Sequence, residues 1–68
     1  MNEDVLNGSL RKFLKIVGVT SQREIETAIR AAIDSGRIKG NEALKAEMVL
    51  TIGEVALTHK IDATIELE

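Results

Sequence analysis

The sequence predicts an α+β fold in the order α-α-β-β, with two N-terminal helices packed on a C-terminal antiparallel β-hairpin. Three observations predict it. Apolar residues recur at helical spacing up to Val17, and a capping box at Ser21-Gln22-Arg23-Glu24 then opens a second helical pattern. After Asn41 the apolar period changes from about 3.6 to about 2, the signature of strands. The expected organisation is a single domain over 1–68, with helices at 3–17 and 22–35 and strands at 43–52 and 55–67.

The first helix has a plausible N-cap in Asn2, and Glu3 and Asp4 sit in the first turn, where the helix dipole favours carboxylates. Leu6, Leu10, Phe13, Leu14 and Val17 then form one stripe, widened by Val5 and Ile16. Asp4, Arg11, Lys12 and Lys15 lie opposite. Gly8 weakens the helix by about 1 kcal/mol relative to alanine, and Gly18 stands where a left-handed residue ends a helix.

In the second helix the Ser21 hydroxyl and the Glu24 carboxylate are placed to satisfy backbone donors reciprocally. Ile25, Ala28, Ile29, Ala32 and Ile33 supply its apolar stripe, and Glu26 precedes Arg30 by one helical turn in the favourable order for a surface pair. Gly36 stops it. The linker Arg37-Ile38-Lys39-Gly40-Asn41 follows.

Along the hairpin, Leu44, Ala46, Met48, Leu50 and Ile52 alternate with Lys45, Glu47, Val49 and Thr51. Val55, Leu57, His59, Ile61, Ala63, Ile65 and Leu67 continue the apolar face beyond Gly53-Glu54, which suits a two-residue type II′ turn. That turn sets Leu50 opposite Leu57, Met48 opposite His59 and Ala46 opposite Ile61. On the other face it pairs Glu47 with Lys60 and Lys45 with Asp62, both of opposite charge. The strand face that forms the core or a dimer contact is therefore Leu44, Met48, Leu50, Ile52, Leu57, Ile61 and Ile65.

Composition narrows the function. The chain has 68 residues, a net charge of −2 and no cysteine, tryptophan or tyrosine. This excludes a disulfide scaffold, a thiolate nucleophile, a cysteine zinc site and aromatic platforms for bases. So short a chain, without metal or disulfides, needs very good packing or a partner subunit. A two-stranded sheet also leaves two open edges. A homodimer is expected, formed by pairing strand edges or by exchanging elements through the linker at 36–41. The acidic start Met1-Asn2-Glu3-Asp4 leads into no uninterrupted apolar run, so the expected location is the cytoplasm and no membrane is involved.

Residues able to carry catalysis are sparse. His59, the sole histidine, lies on the apolar strand face and reads as a pH-sensitive core or interface residue rather than a metal ligand. Ser9, Ser21 and Ser35 have no adjacent base. The glycines have turn, cap or packing explanations and form no phosphate loop. The sequence therefore predicts no enzyme, no metal and no cofactor. Its leading function is a small homodimeric protein-interaction module whose protein partner is unidentified.

The alternative is weak nucleic-acid binding. Phe13 to Ile25 resembles a helix-turn-helix, with Gly18 in the turn, and the contacts would come from Arg11, Lys12, Lys15, Arg37 and Lys39. Against it, Ile25 falls one position later than that motif's buried aliphatic. The reading helix would also carry Glu24 and Glu26 towards phosphates.

Taken whole, the chain resembles a family of short bacterial proteins of unknown function. The resemblance rests on Met1-Asn2-Glu3-Asp4, on Arg11-Lys12-Phe13-Leu14-Lys15, on Val17 through Glu26, on Ser35-Gly36 and Lys39-Gly40-Asn41-Glu42, and on His59 with Ile61-Asp62. It implies no activity; the exchanged dimers that the resemblance also implies agree with the size argument.

Overall fold

Asn2 starts the first element as its cap: the Val5 N–H donates to Asn2 Oδ1 at 3.1 Å, satisfying one of the donors a helix leaves free at its start. The computed structural model describes residues 1–68. From this cap a single helix, α1, runs over Glu3–Asp34. It ends in a Schellman arrangement at Gly36, whose φ is +79°. There the Gly36 N–H donates to the Ile33 carbonyl at 3.1 Å and the Arg37 N–H to the Ala32 carbonyl at 2.9 Å.

One helix replaces the two expected at 3–17 and 22–35. Gly18 does not take the left-handed conformation of a helix end. Thr20 turns its hydroxyl back along the helix and donates to the Ile16 carbonyl at 2.7 Å. Breaking a helix leaves orphan carbonyls on one side and orphan N–H groups on the other. A capping box offsets part of that loss and burial of two halves against each other the rest, and no residue of α1 is buried. The capping-box residues therefore propagate the helix. On its polar side Gln22 donates to Glu26 Oε1 at 3.1 Å, and Glu26 sits 3.9 Å from Arg30 as the expected pair.

The hairpin comprises β1 (Ala43–Ile52) and β2 (Leu57–Glu66), antiparallel in a two-stranded sheet. Its turn is longer than the expected type II′ pair. Gly53–Val55 make one 3₁₀ turn and Ala56 follows in the left-handed region, at φ 53° and ψ 36°. β2 thus begins at Leu57 rather than at residue 55 and ends at Glu66 rather than at 67. Every partner shifts by two: Leu50 faces His59, Met48 faces Ile61, Ile52 faces Leu57 and Leu44 faces Ile65.

A shift of two leaves each side chain on its original face, so the apolar face survives the change of partners. The observed register is accommodated at both ends, by the left-handed Ala56 at the turn and by Glu42 at the far end. There Glu42 folds residues 39–41 onto its carboxylate, and the Leu67 N–H extends the ladder by donating to the Glu42 carbonyl at 3.3 Å. In the tighter register the last residues of β2 would overhang this folded segment unpaired.

The chain divides into two units, Met1–Arg37 and Ile38–Glu68. Neither contains a buried residue.

Candidate interaction surface

Two apolar surfaces are built from these elements. On α1 the stripe Leu6, Leu10, Phe13, Leu14 and Val17 continues through Ser21 to Ile25, Ala28, Ile29 and Ala32, because the helix does not break between its halves. Leu6, Val17, Ile29 and Ala32 are half-buried, while Leu10 and Phe13 are each 44% exposed. On the hairpin the observed register places all seven predicted face residues together: Leu44, Met48, Leu50, Ile52, Leu57, Ile61 and Ile65. Ile61 is 50% exposed.

The polar face of the hairpin holds a charge relationship that the sequence placed differently. Glu47 stands directly opposite Asp62, a like-charged pair, and not opposite Lys60. Lys60 reaches diagonally to Glu47 at 3.4 Å and lies 4.0 Å from Asp62. The expected Glu47–Lys60 ion pair thus forms across a diagonal, and Lys60 serves two carboxylates. Lys45 faces Thr64 instead of Asp62.

Glu42 carries the most developed polar cluster. Its carboxylate accepts the N–H of Lys39 at 2.8 Å, of Gly40 at 2.9 Å and of Asn41 at 3.1 Å. These bonds, led by that from Lys39, hold its pKa below the ordinary value of 4.5. Gly40 has φ +110°, which only glycine adopts easily. Sequence reasoning missed this cluster. Its one signal was Lys39-Gly40-Asn41-Glu42, a glycine turn followed by a carboxylate.

The remaining predicted residues are placed as follows. Arg11, Lys12 and Lys15 lie together on α1, exposed and without an ion-pair partner within 4.0 Å. Arg37 and Lys39 follow the helix end. The segment from Phe13 to Ile25 contains no turn, so the helix-turn-helix geometry is not formed. His59 is exposed on β2, on the same face as Leu50 opposite it. No three His, Cys, Asp or Glu side chains come together in a way that would hold a metal. No helix is long and apolar enough to cross a membrane.

A model of a family described as a family of unknown function (DUF6494) matches residues 1–68, the whole chain. No curated protein and no solved structure matches it.

Proposed function

We propose that this chain, which belongs to the DUF6494 family, works as a small cytoplasmic homodimeric interaction module without catalysis. One observation carries the reading: taken each by itself, α1 carries an apolar stripe from Leu6 to Ala32 and the hairpin an apolar face from Leu44 to Ile65, and neither unit has an interior of its own to bury it. Removing such apolar faces from water favours association. A surface that a second copy covers gives both copies an interior. The outer faces of the dimer then remain for a protein partner.

Light scattering over a dilution series tests this. The expected mass is twice 7.4 kDa and persists into the low micromolar range. A well-folded chain that stays at the single-chain mass at every concentration overturns it.

A second reading rests on the unpaired cations Arg11, Lys12 and Lys15, which are free to meet phosphates. It predicts binding of DNA or RNA that weakens steeply with salt and is lost when all three become alanine. Absence of binding at low salt removes it.

A further inference from the structure

We infer that the second copy pairs along the free edge of β2, through a two-fold axis at Ile61, to give a four-stranded antiparallel sheet in the order β1-β2-β2-β1. This rests on the homodimer proposed above and specifies which edge forms it and in what register.

The sheet has only two strands, so the outer edge of β2 is unpaired over Leu57–Glu66. The bond from the Leu67 N–H to the Glu42 carbonyl fixes the alternation of the ladder. Odd-numbered residues of β2 bond towards β1. Thr58, Lys60, Asp62 and Thr64 therefore turn their N–H and C=O groups outward, where a partner strand receives them.

An isologous contact requires a strand that matches itself when reversed, and β2 does so about Ile61. Lys60 falls opposite Asp62 and Asp62 opposite Lys60, so the axis generates two opposite-charge pairs. Thr58 falls opposite Thr64, Leu57 opposite Ile65, and Ile61 opposite itself. Opposite charges, threonine pairs and apolar pairs are the cross-strand combinations that stabilise a sheet. Every residue from Leu57 to Ile65 finds a partner.

Neighbouring registers fail on charge. Moving the axis to residue 60 sets Lys60 against itself, and moving it to residue 62 sets Asp62 against itself. β1 offers no equivalent. Centred on Glu47 it opposes two carboxylates, and centred on Met48 it pairs Lys45 with Thr51 and Glu47 with Val49. Centred on Ala46 it matches Lys45 with Glu47 but leaves Leu50, Thr51 and Ile52 without partners.

The pairing also resolves the like-charged pair within each copy. Asp62 faces Glu47 on its β1 side and shares Lys60 with it. In the dimer the partner's Lys60 flanks Asp62 on the other side, so each carboxylate has a cation beside it.

The test uses two charge variants of the full chain, Lys60→Glu and Asp62→Lys. Each opposes like charges twice across the axis when alone, and dimer affinity is expected to fall by about tenfold or more. Mixed one to one, they regain opposite charges at both positions and form the heterodimer, read by native mass spectrometry. As a check independent of charge, Ile61→Cys places two thiols at a directly opposed pair about 4.5 Å apart between Cα atoms, within disulfide reach. It is expected to crosslink completely under mild oxidation, while Met48→Cys does not. If the unmodified chain is dimeric but both charge variants stay dimeric alone and Ile61→Cys fails to crosslink, the β2 axis is wrong and the dimer stands. If the unmodified chain is monomeric, the dimer itself is wrong.

Discussion

The Lys39 N–H donates to the Glu42 carboxylate at 2.8 Å, and this bond, with those from Gly40 and Asn41, closes the segment at which the hairpin begins. Glu42 has its pKa lowered by these donors, first among them Lys39. A carboxylate depressed in the folded state contributes stability that is present above its unfolded value and is lost as pH falls through the folded value. The amide resonances of Lys39, Gly40 and Asn41 are expected to titrate together, with a midpoint below 4.5. Glu42→Gln is expected to abolish the titration. A midpoint at or above the ordinary value would count against the cluster.

Ala56 adopts a left-handed conformation at φ 53°, which a Cβ disfavours. Ala56→Gly is expected to raise stability by about 0.5–1 kcal/mol, and Ala56→Val to lower it by more, since a β-branched residue tolerates positive φ least. Thermal melts of the three chains decide it. A loss of stability in the glycine variant would point to the tighter turn.

Gly18 separates the continuous helix from a broken one. Nothing lies within 4 Å of a Cβ placed there, and its φ is not positive. Gly18→Ala is expected to stabilise the chain by about 1 kcal/mol. Were Gly18 the left-handed end of a first helix, the same substitution would destabilise it.

Leu10 and Lys12 lie on different sides of α1. Leu10→Asp puts a charge into the apolar stripe and is expected to weaken the proposed dimer at micromolar concentration where the second copy covers the stripe as well as the β2 edge. Lys12→Asp, on the exposed side, is expected to leave the mass unchanged. Equal behaviour of the two variants would mean that the stripe takes no part in association.

The residues that the sequence read well and those it misread differ in how far their reasons reach. Asn2 and Gly36 act through bonds to their own neighbours, so the start and end of α1 were legible. The apolar hairpin face was legible because an alternation of two is a local pattern. Its register was not, since partners displaced by two keep the same faces, and the choice is made by Ala56 at one end and Glu42 at the other. The break at Gly18 was misread for the opposite reason. Gly18 and the Ser21–Glu24 box are sound local stop and start signals, but a helix gains from breaking only when its halves have each other to pack against. The candidate surface itself was legible as a list of residues. The charge pattern along β2 became informative only once β1 was known to place Asp62 beside Glu47.

The absence of any buried residue in α1 has a counterpart in time. An isolated helix relaxes between helix and coil in about 0.1–1 μs, so any slower exchange of the amide protons over Glu3–Asp34 has to come from packing outside the helix. The lifetime of those protons is a direct reading of how long the apolar stripe stays covered.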